Sequence, residues 1–223
     1  MPPAELIGRS DDNVRCAQSD EQRGAVVAVR KPREATGARE RLMAATEQIM
    51  GEDGYAAATS RRVAERAGVK SALVYYYFPT MDDLFVTVLR DSGERALVRM
   101  REALTADDPL RVLWLINTDT RYTRLSTEWM ALANHRKVIG AELRVFAERV
   151  RDIETAAVTL VLRSNGVDLA DFPPVVMSIL LTGAARIICN ESAVGMVQGH
   201  EQLRGYVEQF IARYPLPVRP AER

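Results

Sequence analysis

The chain has few of the residues that build metal and redox centres. Its 223 residues include two histidines and two cysteines. Cys16 and Cys189 match no zinc-ligand spacing, and two histidines cannot furnish a His-rich site. No metal and no cofactor is expected. Strand signals are also missing, because no stretch alternates apolar and polar residues as a half-buried strand would. There is no Gly-rich phosphate loop and no nucleophile elbow, so an enzyme is not the expectation. Long apolar runs are scarce. The best, Val175 to Cys189, is interrupted by Ser178, Thr182, Gly183 and Arg186, and no membrane helix is expected. At the N-terminus, Val26 to Val29 is too short for a signal peptide and runs directly into Arg30 and Lys31, so a cytoplasmic location is expected. Nor is there an excess of one charge. Lys+Arg is 30 and Asp+Glu is 30. Attraction for nucleic acid would have to come from where the cations sit, not from their total.

What the chain does have is helical periodicity. Hydrophobic residues make up 47%, enough for a sizeable core. Residues 1–33 mix Pro, Asp, Arg, Ser and Gln without a period and read as a disordered arm. From Ala38 onward, Ala38, Leu42, Ala45 and Ile49 fall on one helical face, and Gly51 and Gly54 bracket its end. Thr59 or Ser60 can cap a second helix carrying Val63, Ala64 and Ala67, which Gly68 stops. A short third helix is expected from about Lys70 to Tyr77, before Pro79. Thr80 and Asp83 resemble a capping box opening a fourth, Met81 to about Leu104. Beyond Asp107-Asp108-Pro109 further helices follow. One starts near Leu110, a second segment with a possible break carries Trp129 to Asn134, and a long one runs from about Lys137 to Ser164. Another starts at Pro173-Pro174 and reaches about Ala193, and the last spans about His200 to Tyr214. The fold class is therefore all-α. The expected division is an arm over 1–33, a helix-turn-helix domain over 34–80, a ligand-binding and dimerisation domain over 81–214, and a tail over 215–223.

Two short helices joined at a glycine and packed on a preceding helix form the helix-turn-helix pattern. Its second helix must dock by apolar anchors on one side and present polar or aromatic groups to the major groove on the other. Val74 and Phe78 are the expected anchors. Lys70, Ser71, Leu73, Tyr75, Tyr76 and Tyr77 are left to face outward or sideways. Three successive tyrosines are hard to bury, since each hydroxyl needs a partner, whereas phenols readily donate to phosphate. The alternative is an aromatic cluster bracing the fourth helix.

The stretch Gly54-Tyr55, Thr59, Val63-Ala64-Glu65-Arg66-Ala67-Gly68-Val69, Val74-Tyr75-Tyr76-Tyr77-Phe78-Pro79-Thr80 and Asp83-Leu84 resembles the signature of the TetR family of transcriptional regulators. The resemblance implies DNA contacts from Thr59, Ser60, Arg61, Tyr75, Tyr76, Tyr77 and Thr80, with Lys70, Ser71, Ala72 and Leu73 at the base-reading end. Lys70 stands where a capping Ser or Thr is common, and Ser71 is the alternative cap. Leu73 replaces a usual small or polar residue and either packs on Tyr77 or meets a thymine methyl group. Met81 replaces a frequent phosphate-binding lysine, a charge that Arg30, Lys31 and Arg33 could restore if the arm tracks DNA rather than solvent.

The resemblance further implies partners: double-stranded operator DNA in palindromic half-sites, a small apolar or amphipathic effector, and a second copy of the chain. Repression relieved by the effector is the expected function. The alternatives are a constitutive DNA-binding protein without effector, or a small helical enzyme. Expected pocket residues are Trp114, Asn117, Arg121, Tyr122, Trp129, Met130, Asn134, Phe146, Met177 and Leu181, aromatic walls with a few polar groups. For the dimer, Ser178, Gly183, Ala184 and Ala185 allow close helix approach. Leu203, Tyr206, Val207, Phe210 and Ile211 form a facing stripe, which would serve an intramolecular core equally well. Cys189 reads as a small buried hydrophobe, and His135 as part of a polar helix boundary.

Overall fold

The computed structural model describes residues 33–216. The expected arm, with Cys16, Arg30 and Lys31, lies outside them, as does the end of the tail. Among the described residues all regular structure is helical: α1 (Arg33–Asp53), a 3-10 turn (Tyr55–Ala57), α2 (Ser60–Arg66), α3 (Ala72–Tyr77), α4 (Met81–Ala103), α5 (Pro109–Asn117), α6 (Thr120–His135), α7 (Lys137–Ser164), α8 (Pro174–Ala193) and α9 (His200–Arg213).

The boundaries follow local chemistry. Thr80 accepts a hydrogen bond from the Asp83 amide while the Asp83 carboxylate accepts from the Thr80 amide, so the expected capping box starts α4. Asp108 caps α5 through the Arg111 amide, with Pro109 in the first turn. Asp119 caps α6 through the Arg121 amide. Three expectations differ. Helix α1 begins at Arg33, before Ala38, and runs through Gly51, so only Gly54 ends it. Helix α3 begins at Ala72, and Ser71 precedes it without a side-chain cap bond. Helix α6 has no break: Trp129 and Leu132 are buried on one side and hold it in a single run.

Two clusters of buried side chains organise the molecule. The first joins Leu42, Ile49 and Met50 of α1 to Val63, Val74 and Phe78, and adds Leu84, Trp129, Leu132 and Ile139 from α4, α6 and α7. The second joins Leu97 and Met100 of α4 to Leu110, Trp114, Val158, Leu162, Ile188, Val207 and Ile211. Helix α4 contributes to both, and Phe146 of α7 packs against both. The helix-turn-helix segment is thus tied to the rest by a helix rooted at each end in a core. Buried polar groups are satisfied where they occur. The Thr46 hydroxyl donates to the Leu42 carbonyl at 2.8 Å. The Glu154 carboxylate accepts from Asn117 at 3.0 Å, Thr182 at 2.8 Å and Arg151 at 3.1 Å.

Helix α8 carries the longest apolar stretch noted in the sequence. Its 20 residues are long and apolar enough, by length and composition, to cross a membrane. Of the polar residues expected to interrupt it, Ser178 and Thr182 are buried, Ser178 donating to the Val175 carbonyl and Thr182 to the Glu154 carboxylate, while Arg186 is exposed. The outward side is left with Val176, Ile179, Leu180 and Ile187, all exposed.

Candidate nucleic-acid interface and effector cavity

The recognition head is built from three short-range devices. The Thr59 hydroxyl accepts from the Arg62 amide and starts α2. At the other end of α2, Gly68 takes a φ of 65°, and the Val69 amide donates to the Ala64 carbonyl at 3.0 Å. A side chain at Gly68 would be strained in that left-handed conformation. The chain turns there into α3, which docks through Val74 and Phe78, both almost fully buried. Burial of each contributes about 1.5–3 kcal/mol.

The charges on this head divide into two kinds. Arg62 pairs with Asp53 at 2.6 Å and Arg66 with Glu52 at 2.8 Å, which fastens α2 to the end of α1. The hydrogen bond that Arg66 donates to Glu52 raises its guanidinium above the ordinary value, with the Glu52 charge adding to it. Arg61 and Lys70 are exposed and have no ion-pair partner among the described residues. Ser71 and Ala72 are exposed beside Lys70, and Leu73 is half-buried. Tyr76 is 74% exposed and meets Tyr77 edge-on at 4.9 Å between ring centroids. Tyr77 itself is half-buried against the first core, as the bracing alternative describes. Tyr75 is 53% exposed and donates to the Ser60 hydroxyl at 3.2 Å. The Thr80 hydroxyl is occupied by both directions of its cap. Met81 is half-buried on the first core.

The largest cavity, about 610 Å³, lies between α4, α6 and α7, with Glu47 of α1 at its edge. That volume is in the range of small-molecule sites. Of the expected pocket residues, Arg121, Tyr122, Trp129 and Phe146 line it. Trp114, Asn117 and Leu181 instead surround a void of about 20 Å³ beside Glu154, room for one water at most. Met177 packs against the second core, and Met130 and Asn134 are exposed. Sequence reasoning missed the α4 wall: Leu89, Ser92, Gly93, Ala96 and Arg99. Their spacing of three and four marks a second helical face, with small residues at its middle. Gly93 is needed there, because a Cβ would stand 3.0 Å from the Phe146 ring. Burial raises the Tyr122 phenol above its ordinary value, against the opposing pull of Arg186.

Helix α6 lines this cavity and also holds the joint between α1 and α2. The Tyr55 amide donates to Glu128 at 2.8 Å, and Arg124 donates to the Glu52 carbonyl at 2.6 Å. Arg136, at the C-terminal end of α6, pairs with Asp82 in the first turn of α4. On the cavity edge Arg95 of α4 pairs with Glu47 of α1 at 2.6 Å.

A helix-turn-helix head with exposed cations and phenols is joined through two cavity-lining helices to a larger helical body. Residues 42–88 match the family model described as bacterial regulatory proteins, tetR family. The fold is that of a transcriptional regulator from Rhodococcus sp. Rha1, at 23% identity and a TM-score of 0.61 over 79% of this chain and 95% of that one. A TetR transcription regulator from Haloarcula marismortui is similar at 22% identity and a TM-score of 0.60, over 81% of this chain and 99% of that one. The transcriptional regulator FadR from Bacillus subtilis, solved in complex with stearoyl-CoA, is similar at 14% identity and a TM-score of 0.61, over 78% and 97%. No curated protein sequence matches the chain. The N-terminal helices thus match the tetR family model, and most of the chain has the fold of these solved regulators.

Proposed function

We propose that the chain is a DNA-binding repressor, acting in the cytoplasm as a homodimer on a palindromic operator and released by a small molecule held in the 610 Å³ cavity. The observation that carries this reading is the double engagement of α6, which lines the cavity through Tyr122 and Trp129 and holds the α1–α2 joint through Arg124 and Glu128. A ligand that fits one arrangement of these helices better shifts the equilibrium toward it, by no more than its differential affinity for the two states. Helix α4, which runs from the recognition helix past the cavity, is the lever that moves the reading heads.

On the DNA side, Arg61, Thr59, Ser60, Tyr75, Tyr76, Tyr77 and Thr80 contact phosphate. Lys70, Ser71, Ala72 and Leu73 enter the major groove. Two copies related by a two-fold axis read two related half-sites. The exposed apolar side of α8 supports pairing there. Helix α9 supports it less, since Val207 and Ile211 are consumed by the chain's own core and only Tyr206 of its stripe is strongly exposed.

The test is selection of bound sequences from random DNA, followed by a screen for compounds that release the selected site. A palindromic motif and a releasing compound are expected. A motif without internal symmetry would overturn the two-fold reading. Failure of every compound to alter DNA affinity would favour a constitutive DNA-binding protein.

A further inference from the structure

The charges lining the cavity do not cancel. Glu47 and Arg95 are paired at 2.6 Å and neutralise one another. Asp119 is engaged as the cap of α6, where its carboxylate accepts the Arg121 amide at 2.9 Å. Arg99 and Arg121 line the same cavity, and neither guanidinium has an ion-pair partner among the described residues. Both are also exposed, so they stand where the cavity meets water. Tyr122, half-buried, lines the cavity with them. A smaller void of about 230 Å³ shares Arg99, Asp119 and Tyr122 as wall, so this end has space on both sides. The same lining includes an apolar set, Leu125, Trp129, Leu143 and Phe146.

We propose that the cavity takes an amphipathic anion, its apolar body against Trp129 and Phe146 and its carboxylate, sulfate or phosphate group held by Arg99, Arg121 and the Tyr122 hydroxyl. This rests on the reading of the cavity as the effector site and adds the charge of the ligand. Guanidinium forks suit planar oxyanions, and a phenol adds a neutral donor. The lining sets three arginines, Arg95, Arg99 and Arg121, against two carboxylates, Glu47 and Asp119, so a cation would meet a net positive wall. Solvent access at the mouth screens the attraction, so the head group selects among apolar bodies rather than supplying most of the affinity.

The test uses two fluorescent probes that share an apolar body: 8-anilinonaphthalene-1-sulfonate, and N-phenyl-1-naphthylamine, which lacks the sulfonate. The full chain should bind the sulfonate about tenfold more tightly. The double variant Arg99→Gln/Arg121→Gln should lose that preference while holding the neutral probe unchanged. Tyr122→Phe should lower sulfonate affinity by about threefold. Gly93→Ala, which adds a methyl group to the cavity wall and displaces the Phe146 ring that lines it, should weaken both probes and so locate them there. Equal affinities in the wild-type chain, a preference that survives the double variant, or binding of both probes unaffected by Gly93→Ala would each overturn the proposal. The regulator reading fails separately, by DNA selection that yields no motif in the absence of any probe.

Discussion

Tyr75 of α3 donates its phenol hydrogen to the Ser60 hydroxyl in the first turn of α2, across 3.2 Å. The bond joins the two helices of the recognition head on their exposed side, opposite the Val74 and Phe78 anchors. It orients the Tyr75 ring without burying it. The expected consequence is that Tyr75→Phe and Ser60→Ala each weaken DNA binding and that their effects are not additive, because either change frees the same contact. Stability should change by less than about 1 kcal/mol in each, as both groups stay hydrated. A double-mutant cycle on operator affinity, beside thermal melts, measures both.

Arg61 and the paired arginines of α2 should behave differently. Arg61→Ala should reduce the salt dependence of DNA binding by roughly one charge equivalent per subunit, with the fold intact. Arg62→Ala should instead loosen the α1–α2 contact, since its partner is Asp53. Tyr77→Phe should weaken DNA binding without dissociating the dimer. Affinity measured over a series of salt concentrations separates these cases, and an unchanged slope and affinity would remove Arg61 from the interface.

The outward side of α8 predicts self-association. Ile179 and Leu180 are each half or more exposed, at 50% and 58%. Sedimentation at micromolar concentration should show a dimer, and Leu180→Glu should convert it to a monomer of unchanged helical content, because the side chain is outside both cores. A wild-type monomer would contradict the proposed assembly.

Coupling between cavity and DNA should be reciprocal. An effector that lowers operator affinity by some factor must itself bind more weakly to the DNA complex by that factor, with typically about 1–3 kcal/mol at stake. Glu128→Ala removes the acceptor for the Tyr55 amide and should reduce the coupling while leaving effector affinity for the free protein nearly unchanged. Effector titrations with and without saturating operator read this directly. Equal affinity for both forms would show that the compound is not an inducer, and tighter binding to the complex would make it a co-repressor.

The Tyr122 phenol, raised by burial, should ionise later than ordinary tyrosines, above about 10. A raised folded value means that its contribution to stability is complete below the unfolded value and is lost as pH rises through the folded one. Difference absorbance against Tyr122→Phe should reveal a late-titrating phenol. Through the neutral range the group remains a hydrogen-bond donor.

Much of the recognition head was legible because its determinants are local. The Thr59 cap, the Gly68 turn, the Thr80–Asp83 box and the Val74 and Phe78 anchors involve residues within a few positions of one another, where backbone chemistry decides the outcome. Helix bounds such as Lys137–Ser164 follow from the same periodicity and punctuation. The cavity was only half legible. Tyr122 and Trp129 could be picked as aromatics on a helix, but Trp114 has the same signature and sits in a core, because which face of a helix meets a void depends on how distant helices are spaced. The α4 wall went unread since Ser92, Gly93 and Ala96 matter through what they leave open, and Phe146, 53 residues after Gly93, decides that. The same holds for the tethers: Glu128 meets the Tyr55 amide across 73 residues of chain. The sequence by itself determined the helices, most of their caps and the helix-turn-helix, whose energetics are short-range. The tertiary structure alone decided which apolar stripes became core, which stayed exposed on α8, and where unpaired arginines converge, because burial and charge pairing are properties of packed surfaces and not of spacing.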